Sequence, residues 1–188
     1  MKHIKLLAFL FIATLTFTAC SDDETLPEEE HEEEVITNMD IVLTPQSGSV
    51  VYLSSEDLDG EGGVDPTITG GTFAANTTYT GVITLTNKAE DPHHDITEEI
   101  EEHADEHQFF YSASAGLSST FAYAGANDSN GNPVGLSFTV TTGDAGTGTY
   151  TVTLRHEPNK TAAGVKDGDI TNAGGSTDIE IVFPITIQ

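Results

Sequence analysis

From Val35 to Gln188 apolar residues recur at every second position, and any fold of this chain has to satisfy that alternation. Met39, Ile41 and Leu43 share one face, and Val50 to Leu53 is a short apolar strand. Tyr79, Gly81, Ile83 and Leu85 point one way, with Thr80, Thr84 and Thr86 on the other side alongside Val82. The pattern returns at Leu117–Tyr123, Leu136–Val140, Tyr150–Leu154 and Ile179–Ile187. Period two is the signature of a strand with one face in a core. The repeated Thr fits, because a β-branched side chain suits a pleated surface.

Turn chemistry separates these runs at Pro45–Gly48, Asn127–Pro133 and Gly143–Gly146. Seven or more short strands joined this way predict an all-β domain over residues 35 to 188. The expected architecture is a single antiparallel β-sandwich, immunoglobulin-like, with one short helix in a long acidic loop. Two connections exceed hairpin length, Lys88–His107 and Glu157–Thr177. Loops beyond about 12–15 residues are uncommon in compact domains and are often functional.

The first of these loops carries the densest chemistry. Asp91 to Gln108 packs four histidines among eight acids. Asp95-Ile96-Thr97-Glu98 fits a capping box, and Ile96, Ile100 and Ala104 form a helical stripe. On that helix Glu99, His103 and His107 fall four residues apart, on neighbouring turns. Two histidines at this spacing can share Zn²⁺ with a nearby carboxylate, and His93 and His94 are further candidate ligands. The competing reading is a strand through Ile96, Glu98 and Ile100, which scatters the ligands. Solvated side chains in an acidic loop are the plain alternative.

Other motifs are weaker. His103-Ala104-Asp105-Glu106-His107 matches the H-x-x-E-H zinc-peptidase pattern, without that family's length or downstream Glu. Asp57 to Gly63 is a fragment of a Ca²⁺ loop lacking its closing bidentate Glu. His156 continues the Tyr150, Val152, Leu154 face and reads as a rim residue of the core, within reach of the histidine loop only if the long loops pack together. No G-x-S-x-G, paired cysteine or phosphate loop appears, so neither catalysis nor an organic cofactor is expected.

The amino terminus addresses the chain. Residues 1–19 have the form of a secretory signal: Lys2 and Lys5, then an apolar run from Leu6 to Phe17, then small residues. Phe17-Thr18-Ala19-Cys20 resembles the bacterial lipobox, which implies acylation of Cys20, the chain's single cysteine. Ser21-Asp22-Asp23-Glu24 resembles the Bacteroidota export signal, which implies the outer face of the outer membrane. Residues 20–34, with His31 inside a Glu run, then read as an acidic tether. Past residue 19 only Lys88, Arg155, Lys160 and Lys166 oppose thirty-one acids. That surface repels nucleic acid and attracts cations.

The segments ANTTYTGVITLTN, DEHQFFYSAS and RHEPNKTAAGVKDGDITNAGGSTDIEIVFPITI add a wider likeness. With the lipobox, they make the chain resemble a group of small Bacteroidota outer-membrane lipoproteins of unassigned function, often labelled "type 1 periplasmic binding fold". The resemblance implies location and single-domain size and transfers no catalytic residue. The functional expectation is a non-enzymatic, lipid-anchored surface module that captures a divalent metal, Zn²⁺, and passes it to an outer-membrane transporter. The alternative is a structural or adhesive acidic module with weak Ca²⁺ binding.

Overall fold

The alternation folds as two packed sheets. In a computed structural model the described residues are 34–60 and 63–188. The expected signal peptide, the expected acylation site Cys20, the export-like residues 21–24 and His31 lie outside them.

The first sheet contains β1 (Asn38–Pro45), β2 (Val51–Glu56), β3 (Thr67–Thr69), β5 (Thr78–Asn87), β8 (Ser119–Ala124) and β9 (Ser137–Thr142). Their order is β3-β2-β1-β5-β9-β8, and the two-residue β6 (His94–Asp95) pairs with β5. The second sheet has the order β4-β11-β10-β7, from β4 (Gly71–Phe73), β7 (His107–Ala113), β10 (Gly146–His156) and β11 (Ser176–Ile187). All pairings are antiparallel except β4 with β11. The expected β-sandwich is therefore present. Its immunoglobulin-like character does not follow from this seven-and-four division of strands.

The inward residues are those the alternation marks. Met39, Ile41 and Leu43 meet Ile83, Leu85, Val140 and Phe138 in the first sheet and Val152, Leu154, Phe183 and Ile185 in the second. Each such side chain contributes about 1.5–3 kcal/mol on leaving water. Aromatic rings continue the core across both sheets, with Tyr111 stacked on Phe138 at 4.1 Å and Phe121 edge-on to Tyr150 at 5.1 Å.

Helix α1 (Ile96–Glu102) starts where the capping box places it: Asp95 accepts from the Thr97 amide at 2.9 Å. Ile96 and Ile100 are buried against the core. The two long connections lie at one end of the sandwich. The Glu157 amide donates to the Glu106 carbonyl at 2.6 Å. The Lys160 ammonium donates to the Ala104 carbonyl (2.6 Å), to Asp128 (3.1 Å) and to the Pro133 carbonyl (3.3 Å).

Candidate metal centre

Four segments deliver four donors to one point. His107 opens β7 and His156 closes β10, and these residues face each other in the antiparallel ladder. Their rings meet edge-on, with centroids 4.8 Å apart. On the other side of β10, Leu154 pairs with Ile179 but Arg155 pairs with Thr177. Asp178 is the extra residue in this β-bulge, a device that re-aims a side chain. Its carboxylate is fully covered, 3.8 Å from His107 Nε2 and 3.6 Å from His156 Nδ1. Glu34 arrives from the stretch before β1, with Oε1 2.8 Å from His107 Nε2 and Oε2 3.4 Å from His156 Nδ1. Each carboxylate thus offers one oxygen to each imidazole.

Backbone features hold the bulge in place. The Arg155 guanidinium donates to the Gly174 and Gly175 carbonyls and to Thr177 Oγ1. Gly175 has φ +67°, and a Cβ there would stand 2.0 Å from the His156 carbonyl oxygen, so only glycine fits. Next to His156, Glu157 takes φ +48°, uncommon for a residue with a side chain. Such departures cluster at functional sites.

The His107 ring is oriented as a metal ligand's would be. Its Nδ1 lies 3.0 Å from the His103 carbonyl, which can only accept, so Nδ1 carries the proton. In the neutral ring this leaves the Nε2 lone pair aimed into the cluster. A ligating histidine commonly donates its other N–H to a carbonyl in this way. Glu34 Oε1 approaches this nitrogen to 2.8 Å, close enough to share either a proton or an ion with it.

Charge reinforces the arrangement. Burial alone would raise the Glu34 carboxyl, but the neighbouring His107 and, more weakly, His156 outweigh it and bring it down to about 2. For His107, burial works against the charged form. Glu34, the His103 carbonyl and Asp178 overcome it and raise the imidazole above its usual 6.5.

The donor spacing suits a small ion. A tetrahedral ion with bonds of about 2.0–2.2 Å separates its donors by about 3.3–3.6 Å. The four carboxylate–imidazole separations run from 2.8 to 3.8 Å, and one ligand atom from each residue lies within 4.8 Å of all the others. Glu34, His107, His156 and Asp178 can therefore hold a metal ion. Two imidazoles with two carboxylates suit first-row divalent metals better than Ca²⁺ or Mg²⁺, which favour all-oxygen shells. Beside Asp178 opens a cleft of about 620 Å³, whose lining includes Asp57, Asp65 and Glu180.

The expected helical stripe of Glu99, His103 and His107 does not form. Helix α1 ends at Glu102, His103 is its C-cap, and the Glu106 amide turns back to the His103 carbonyl. His107 then joins the ladder with β10 and leaves the helix altogether. The break also removes the helix that H-x-x-E-H requires. His93, His94 and His103 are exposed. His94 Nε2 lies 3.0 Å from Glu99 Oε1, and His103 Nδ1 lies 3.9 Å from Glu106.

Of the five expected ligands, His107 alone belongs to the convergent group. Its partners were not among the expected ligands, for separate reasons. His156 reads as a rim residue of the core that reaches the histidine loop only if the long loops pack together, as they do. Asp178 is aimed by a bulge, and Glu34 is hidden in a run of acids. In the loop fragment Asp57–Gly63, Asp57 accepts from the Gly60 amide at 2.9 Å and Asp59 from the Val64 amide at 3.0 Å. Those carboxylates shape a turn. No protein-family model matches the chain, and no curated protein or solved structure matches it.

Proposed function

We propose that this domain is a non-enzymatic metal-binding module that captures one divalent transition ion, best represented by Zn²⁺, through Glu34, His107, His156 and Asp178. One observation carries the reading. Four donors from four separate segments converge at coordination spacing, with His107 Nε2 directed among them because Nδ1 faces the His103 carbonyl. The burial argues for holding rather than turnover. Structural sites are closed, whereas catalytic ones keep a position open. Here His107 and Asp178 are fully covered, and His156 and Glu34 nearly so.

The rest of the chain supports capture from outside. Acids around the adjacent cleft raise the local cation concentration. The likeness of residues 17–20 to a lipobox and of residues 21–24 to an export signal supports a module held at the outer membrane through an acylated Cys20, beside a transporter able to receive the ion.

A second reading has its own observation. Two imidazoles and two carboxylates can neutralise each other as ion pairs, and the raised His107 favours that proton-loaded form. Protons and metal then compete for the same nitrogens. Zinc titration calorimetry in 0.15 M salt, with an X-ray absorption spectrum of the loaded protein, separates the two. The expected result is one salt-resistant site with two imidazoles and oxygen donors at about 2.0–2.2 Å. Many weak sites that vanish with salt would leave only an acidic surface and a proton-loaded cluster.

A further inference from the structure

Three of the four donors belong to one rigid unit. His107, His156 and Asp178 ride on β7, β10 and β11, consecutive strands of the second sheet. Glu34 is different. It precedes β1 of the first sheet, in a stretch, residues 34–37, that is not strand. That stretch is anchored from residue 36 onward. Ile36 packs against the core and the Thr37 amide donates to the Thr86 carbonyl at 3.1 Å. Val35 is 62% exposed. Among the described residues the Glu34 carboxylate is the first attachment of this stretch to the domain, and it is made across to the opposite sheet.

We propose that Glu34 is a detachable closing ligand, a clasp that seals the metal site when the amino-terminal stretch is docked and opens it when that stretch lifts. The idea rests on the metal-binding reading above. With Glu34 withdrawn, the second sheet keeps two imidazoles and one carboxylate, a set known to hold metal with open positions. An incoming water, carboxylate or imidazole from an acceptor then enters at the vacated position without unfolding any strand. With Glu34 engaged the ion is surrounded and exchange is slow. Metal occupancy and docking of the stretch favour each other, since each ligand shifts the state it prefers. Residues 34–36 thus both report and control loading.

The test uses the full chain in mild detergent, with zinc as the probe and EDTA as the acceptor. Wild type, Glu34→Gln, Asp178→Ala and the double variant His107→Ala/His156→Ala are compared. Two readouts are taken: the rate of zinc loss to EDTA, and amide hydrogen exchange of residues 35–36 with and without zinc. Affinity differences within one site fall mostly on the off-rate. Glu34→Gln is expected to keep one zinc per chain but release it at least tenfold faster, and to lose the zinc-dependent protection of residues 35–36. Asp178→Ala is expected to bind more weakly yet still protect those amides when loaded. Wild-type release and protection in Glu34→Gln, with zinc lost in the double histidine variant, would overturn the clasp and leave the metal site standing. Failure of the wild type itself to bind zinc would overturn both.

Discussion

Two regions of this molecule hold histidine and carboxylate side chains, and they differ in what presents them. The Asp91–Glu106 loop is dense in sequence but spread in space, its His93, His94 and His103 rings exposed to water. The cluster of Glu34, His107, His156 and Asp178 is sparse in sequence, spanning 34 to 178, but convergent in space. Helix α1 buries Ile96 and Ile100, and the loop around it leaves its histidines in water. Paired strands fix their ends against each other, and a bulge adds a fourth direction. Ligand density in sequence is therefore a poor guide to which donors converge in space, and cross-strand register a better one.

That contrast predicts which changes matter. The largest effect on stability is expected at Lys160, which ties the end of the acidic loop to the Asn127–Pro133 turn without touching the cluster. Its side chain is 4% exposed and its Asp128 partner fully buried. Lys160→Met removes the ammonium from a carboxylate that keeps only its Asn130 and Asn132 donors and strips the Ala104 and Pro133 carbonyls of theirs, a loss of about 3 kcal/mol. Urea unfolding should show it, while zinc affinity of the folded fraction changes less than tenfold. A large loss of zinc affinity with little loss of stability would erase the distinction between the two regions.

A smaller effect is expected within the bulge. Gly174 and Gly175 both have positive φ, but a Cβ at Gly174 meets open space, whereas one at Gly175 strikes the His156 carbonyl. Gly174→Ala should cost about 1 kcal/mol from conformation alone. Gly175→Ala should cost about 2–3 kcal/mol or more and weaken zinc binding as well, because His156 and Asp178 are displaced. Equal effects from thermal unfolding and zinc titration would mean that the bulge does not aim the site.

The smallest effect is a pH signature of the metal-free domain. Glu34 titrates near 2 when folded against 4.5 normally, so its contribution is present above 4.5 and fades as pH falls toward 2. His107 is raised above 6.5, so its contribution is present below 6.5 and fades as pH rises through the folded value. Together they favour the metal-free fold most between about 4.5 and 6.5. Zinc stabilisation should run the other way, growing above that window as the proton leaves His107. Thermal melts from pH 3 to pH 9 with and without zinc check this, and parallel curves would contradict it.

The architecture was legible because period-two alternation is local. Met39, Ile41 and Leu43, or Tyr150, Val152 and Leu154, declare their inward face within five residues, and the Asp95 cap declares the helix start. Its end was not declared. Nothing from His103 to Glu106 forbids another turn, and the helix stops because His107 is claimed by pairing with His156, 49 positions later. Non-local pairing likewise hides Asp178, whose direction depends on a one-residue register shift against Arg155. Glu34 looks like any other acid of its run until the fold brings it across to the second sheet.

The central claim is that the strand-borne cluster, and not the exposed loop, holds the ion. A zinc-finger-scale binding energy of about 10–16 kcal/mol spread over four ligands makes each worth about 2.5–4 kcal/mol, or roughly 10²–10³-fold in affinity. The decisive measurement is zinc titration of two variants side by side, His93→Ala/His94→Ala/His103→Ala and His107→Ala/His156→Ala. One ion at wild-type affinity is expected in the first and no specific site in the second. Loss of the site in the first variant with retention in the second would contradict it.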